Sequence, residues 1–170
     1  DPSKSRSVQV TDHSFRDRDV DFLSDSKLIF ASDRDGQYEL YSVEPSKSDQ
    51  NLFESLQFDL NRLTDTEASE RSPVVSPNRE KVAFNRGRGQ LVVSTVNDSG
   101  GLGESTTLLD TGWAEASDVA WSPDNEWLAY SMPDLDFNHE IYIHPVDDSR
   151  EPVNISKHPR PDTEPVWSPD

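Results

Sequence analysis

The chain has 170 residues, 33 of them Asp or Glu against 16 Lys or Arg, for a formal net charge of −17. Such a charge repels phosphate backbones and anionic lipid at long range, which argues against nucleic acid and membrane surfaces as partners. There is no Cys, so disulfides and thiolate metal sites are excluded, and no apolar run approaches the roughly 18 residues a membrane span needs.

Mean hydropathy is −0.81 with 32% apolar residues, so the placement of the apolar residues decides whether the chain can build a core. In chain order, Asp1-Pro2-Ser3-Lys4 carries no apolar leader, and any signal peptide lies outside this sequence. Val8-Gln9-Val10-Thr11 alternates like a strand. Next comes Val20-Asp21-Phe22-Leu23-Ser24-Asp25, a degenerate form of a phrase that returns three times. The later copies are Pro73-Val74-Val75-Ser76-Pro77-Asn78, Val119-Ala120-Trp121-Ser122-Pro123-Asp124 and Pro165-Val166-Trp167-Ser168-Pro169-Asp170. Phe22 and Val75 stand 53 positions apart, Val75 and Trp121 46, and Trp121 and Trp167 46. A period of that size is the signature of a repeat architecture.

Each copy is followed by a short apolar run: Lys27-Leu28-Ile29-Phe30, Lys81-Val82-Ala83-Phe84, Trp127-Leu128-Ala129-Tyr130. Consecutive apolar residues in a strand mean that both faces are covered, which for antiparallel sheets requires sheets stacked face to face. A third strand follows at Tyr38–Val43, Leu91–Val96 and Glu140–His144, and a weaker, more polar fourth at Asn61–Thr64, Thr106–Leu109 and Pro152–Ser156. Polarity and Pro152 suit an outer edge strand. Ser122-Pro123-Asp124-Asn125 and Asp33-Arg34-Asp35-Gly36 supply turn residues between the strands. The chain therefore reads as one all-β unit over 1–170, a β-propeller segment. Three four-stranded antiparallel blades lie near 20–64, 73–110 and 118–156, with partial blades at both ends, strands 8–11 and 163–167. Glu44 to Asp59 is an insertion whose Leu52, Phe53, Leu56 and Phe58 suggest a helical turn on the rim. The sequence stops inside a motif that elsewhere runs on into a strand, so a segment of a longer protein is expected.

The phrases Ser32-Asp33-Arg34-Asp35-Gly36, Arg62-Leu63-Thr64 and Trp-Ser-Pro-Asp resemble the WD-like propeller repeats of TolB-like proteins and of tricorn-like serine peptidases. Asn138–Ile143, Glu151–Pro159 and the insertion around Leu52–Leu56 look more like the tricorn type. Departures from the pattern are Val75 in place of Trp, Asn78 in place of Asp, and a first copy without Pro. The resemblance implies a non-catalytic propeller segment, a scaffold or substrate-selecting module beside a separate proteolytic domain. The alternative it implies is a TolB-like periplasmic module that docks a protein or peptide. The expected partners are a peptide or protein, the remainder of the parent chain, or a second copy. The expected location is periplasmic or extracellular.

The residues themselves offer no catalytic site. No Gly-x-Ser-x-Gly elbow occurs, and Ser24-Asp25-Ser26-Lys27 matches Ser-x-x-Lys only formally, on a hairpin turn. His13, His139, His144 and His158 lack zinc-ligand spacing, and rim or loop positions are expected for them. Asp134, Asp136 and Asn138 imitate the first three ligands of an EF-hand loop and are weak candidates for a cation, but Phe137, His139 and Pro145 stand where that loop continues and needs its Gly and its Glu. Gly100-Gly101-Leu102-Gly103 reads as a hairpin tip and not as a phosphate cradle, and no cofactor is expected. Phe30, Tyr41, Tyr142 and Trp167 are expected on open end faces, and self-association through them.

Overall fold

Residues 7–169 are described in the computed structural model. Twelve strands form three antiparallel four-stranded sheets, one after another along the chain. The first sheet holds β1 (Asp17–Phe22), β2 (Leu28–Ser32), β3 (Glu39–Pro45) and β4 (Phe58–Arg62). The second holds β5 (Glu70–Val75), β6 (Lys81–Arg86), β7 (Gln90–Val96) and β8 (Leu102–Asp110). The third holds β9 (Ser117–Trp121), β10 (Trp127–Pro133), β11 (His139–Pro145) and β12 (Val153–Asn154). Neighbours in sequence are neighbours in every sheet, and β1, β5 and β9 approach one another from sheet to sheet, so these first strands lie on the inner side. The three sheets are consecutive blades of a β-propeller and do not close a ring.

The two-faced strands do what their composition requires. Phe84 points back toward the first sheet, into a core with Ile29, Ala31 and Leu40, while Ala83 points forward and meets Trp121, Leu128 and Tyr130 of the third. The same phase holds one blade earlier, where Ile29 faces forward and Phe30 backward. Burying a large apolar side chain this way is worth about 1.5–3 kcal/mol.

Polar fasteners recur with the same period. Trp121 Nε1 donates to the Val74 carbonyl of the preceding blade at 2.9 Å, and Trp167 Nε1 to Ala120 O at 3.1 Å. Ser122 holds its hairpin with one hydroxyl, which accepts from Trp127 N and donates to Asp124; Ser76 does the same for Lys81 N and Asn78. Buried Glu39 takes the Thr64 hydroxyl, Thr66 N, Gln37 and Arg62. Glu140, in the matching place, takes the Ser156 hydroxyl, His158 N and Asn138. A buried carboxylate is tolerable only when so many donors surround it.

Several expectations are corrected. Phe30 and Tyr41 are only 4% and 3% exposed, because Val10 packs on them and the Arg34 guanidinium stacks over the Tyr41 ring at 4.5 Å. Tyr142 and Trp167 are half-buried rather than open. Segments 8–11 and 163–167 are not paired as strands, since no described strand lies where they would need a partner. Glu164 nonetheless repeats the left-handed backbone of the inner-strand bulges, with φ of 57° against 55°, 54° and 52° at Asp19, Ser72 and Asp118. The insertion is shorter than read, because β3 reaches Pro45 and β4 starts at Phe58; between them lies a single turn capped by Asn51, with Leu52 buried and Phe53 and Leu56 exposed. β8 begins at Leu102, which leaves the hairpin tip at 97–100. His139 opens β11 and is not in a loop.

Two outcomes are expected. Trp121→Ala removes an inter-blade knob that is 7% exposed and should cost about 3–5 kcal/mol, whereas Leu135→Ala, 87% exposed, should stay within about 0.5 kcal/mol; urea melts of both variants check the register. Donation from Ser156, His158, Asn138 and Lys157 holds the Glu140 carboxyl below its ordinary value of 4.5. A lowered folded pKa contributes stability above the unfolded value and loses it as the pH falls through the folded one. Ser156 Oγ also accepts from Ile141 N at 2.9 Å, a bond that does not depend on the carboxylate. The deficit of Ser156→Ala against the native chain should therefore be largest at neutral pH and shrink without vanishing as the pH drops below 4.5, which melts across that range would read.

Candidate functional site

A groove of about 680 Å³ lies on the inner side, between the second and third blades. It is assembled from five stretches of chain. Asp19 and Val20 come from β1, Ser72, Pro73 and Val74 from β5, and Asn85 from β6. Residues 113–119 enter from the link between β8 and β9 and from the start of β9, and Pro133 and His139 from the two strands of the β10–β11 hairpin. The left-handed bulges at Asp19, Ser72 and Asp118 turn polar side chains to this side. Asp19 Oδ2 then accepts from Ser72 N at 3.2 Å and Ser72 Oγ at 3.3 Å, while Asp118 Oδ2 accepts from Ser131 Oγ at 2.8 Å and Glu164 N at 3.3 Å.

Charge is unevenly neutralised along the groove. Asp19 pairs with Arg18 Nε at 3.0 Å and Glu115 with Arg71 at 3.2 Å. Asp118 is held only by a hydroxyl and an amide among the described residues. Asn85 is 3% exposed; its Nδ2 donates to Ala116 O at 2.8 Å, and its Oδ1 has no donor.

The rim is aromatic. Trp113 and Phe137 meet edge to face with ring centroids 5.7 Å apart, yet stay 44% and 78% exposed. Trp113 is displayed by a tight turn in which the Thr111 hydroxyl accepts from Trp113 N and Ala114 N and donates to Ala114 O. Gly89 lets the β6–β7 hairpin close on this turn: a Cβ there would stand 2.4 Å from Thr111 Oγ1 and 2.8 Å from Trp113 N. The chain thus fixes the backbone under an indole that it does not bury.

The residues singled out in the sequence fall elsewhere. Asp134, Asp136 and Asn138 do come together on one hairpin, in a depression of about 610 Å³ with Glu140, Lys157 and His158. Asp134 Oδ1, however, accepts from Asp136 N and Asn138 N, and Asn138 Nδ2 donates to Glu140 and His158 O, so these groups shape the turn. Among the described residues no three His, Asp or Glu side chains gather as metal ligands. Lys27 is drawn to Glu44 at 3.0 Å and Ser99 O at 2.8 Å, away from any role with Ser24. His13 sits between Arg34 and Asp17, His158 Nδ1 accepts from Arg160 N, and buried His144 lies 3.4 Å from Asp148. The groove itself was not foreseen; its one local signal is an aromatic residue in Asp110-Thr111-Gly112-Trp113, a turn phrase between blades.

No family model matches the sequence, and no curated protein does. Solved structures do. A puromycin-hydrolysing peptidase of Mycobacterium tuberculosis superposes with a TM-score of 0.65 at 16% identity, over 85% of this chain and 22% of that one. A puromycin hydrolase gives 0.63 at 15% identity, over 85% and 23%. A TolB-like protein of Agrobacterium tumefaciens gives 0.56 at 17% identity, over 85% of this chain and 51% of that one. The chain spans less than a quarter of the length of the two hydrolases. At these identities the likeness concerns the fold, which is that of a β-propeller segment.

Proposed function

We propose that this chain is the peptide-engaging, non-catalytic propeller segment of a larger tricorn-like serine peptidase, acting as a scaffold or selector beside a separate proteolytic domain. The observation that carries this reading is the aromatic-rimmed groove. It offers apolar walls, backbone-fixed Trp113 and unneutralised acceptors, the mixture that holds an extended peptide. Similarity to a fraction of two hydrolases favours a module over a complete enzyme, and His13 and His158 are engaged in structural contacts. A second reading, a TolB-like module that docks a protein, draws on the larger share of the TolB-like chain that is covered. A place outside the cytoplasm belongs to either proposal. No helix of the described chain is long and apolar enough to cross a membrane.

Two measurements test the reading. The chain alone should leave fluorogenic peptides uncut, and turnover that vanishes on substitution of one of its residues would overturn the non-catalytic assignment. Fluorescein-labelled random heptapeptides should gain anisotropy on titration with the chain. Trp113→Ala should weaken that binding about 30-fold, as truncation of a Trp hot spot of about 2 kcal/mol does, with an unchanged urea midpoint. Undiminished binding by Trp113→Ala would remove the groove from the reading.

A further inference from the structure

We infer that the groove takes a basic side chain, an arginine or lysine carried on an extended peptide, between the Asn85 amide oxygen and the Asp118 carboxylate. The inference rests on the peptide-binding reading and adds the class of side chain. Three observations on the two residues converge. Asn85 lines the groove, is 3% exposed, and leaves Oδ1 without a donor. The amide cannot be turned round to relieve this, because only its nitrogen can donate to Ala116 O. Position matters as well: Asn85 follows Phe84 as Ala31 follows Phe30 and Ser131 follows Tyr130. Ala31 needs no partner, and Ser131 is satisfied by Ser117 and Asp118, so the repeat does not require an unsatisfied oxygen at this place.

Asp118 supplies the charge. Of the three carboxylates lining the groove, Asp19 and Glu115 have arginine partners, while Asp118 has neutral donors only. A guanidinium or ammonium brings both things the site lacks, N–H donors for Asn85 Oδ1 and a positive charge for Asp118. The exposed Trp113 face can take the apolar stem or the cation itself. A net charge of −17 steers such a ligand inward. Between Asn85 Oδ1 and Asp118 an acidic side chain would face two acceptors.

Calorimetric titration of the whole chain with three terminally blocked heptapeptides decides the matter. They share the sequence Gly-Ala-Phe-X-Ala-Gly-Gly, with X as Arg, Ala or Glu. The Arg peptide should bind at least about tenfold more tightly than the Ala peptide, with the Glu peptide weakest, and the preference should shrink from ~50 to ~200 mM salt. Asp118→Asn keeps an acceptor for Ser131 and suits the local φ of 52°. It should bring the Arg peptide to the affinity of the Ala peptide and leave the latter unchanged. Asn85→Leu should do the same where its melt shows a folded chain. Equal binding of all three peptides, or an Arg preference that survives Asp118→Asn, overturns this inference and leaves the peptide-binding reading standing. Binding of none of them removes both.

Discussion

A sheet whose central strands are apolar on both faces is stable only when a neighbour covers each face, and that constraint organises this molecule. Phe84 and Tyr130 are forward neighbours' knobs aimed back at the previous blade, and Ile29 and Ala83 are the surfaces they meet. The inter-blade hydrogen bonds follow from the same phase. Once the blades stack, Trp121 Nε1 lies beside Val74 O and Trp167 Nε1 beside Ala120 O, so one contact geometry is written twice by one sequence phrase. Where the phrase loses its Trp, at Val75, the link is made from the other side, with Val75 N donating to Asp21 at 2.7 Å.

The covering rule also explains why the first blade does not present Phe30 and Tyr41 to solvent. Val10 packs on them, in a segment tied down by Arg16 N to Asp33 and by His13 between Arg34 and Asp17. An aromatic pair that would otherwise form a sticky face is closed by residues that are themselves mostly polar. The third blade is covered less completely: Trp167 packs against it, but Ile141 and Ile143 stay half-buried.

Fold was legible in this sequence because its determinants are local and repeated. A two-residue apolar run, a Ser-Pro turn and a fixed spacing each announce themselves within a few positions, and the repeats confirm one another. The groove has no such signature. Its walls come from β1, β5, β6, the 113–116 link with the start of β9, and the β10–β11 hairpin, which meet only after the blades have stacked. Asp134, Asp136 and Asn138 read as weak candidates for a cation, and backbone amides two and four residues on engage Asp134 Oδ1. A short acidic loop can satisfy its own turn with such bonds. Tyr41 was misplaced for a different reason: the residues that cover it are separated from it in sequence, and nothing in their composition marks them as a cover.

Repetition gives a way to tell scaffold from site within one chain. Positions that perform the same task in more than one blade, such as the Glu39 and Glu140 clasps or the Ser76 and Ser122 turns, are explained by folding alone. Positions where one blade departs from the others, at a cost the others avoid, are not. Leaving a buried amide oxygen unpaired costs about 1–3 kcal/mol, and the blades carrying Ala31 and Ser131 show that this place can be filled without that penalty. Displaying Trp113 on a turn that Thr111 and Gly89 hold rigid is a second such departure, since an indole gains most by burial. Both departures open onto one groove. Two local costs that meet at one concavity are what the proposed binding of a ligand there would account for.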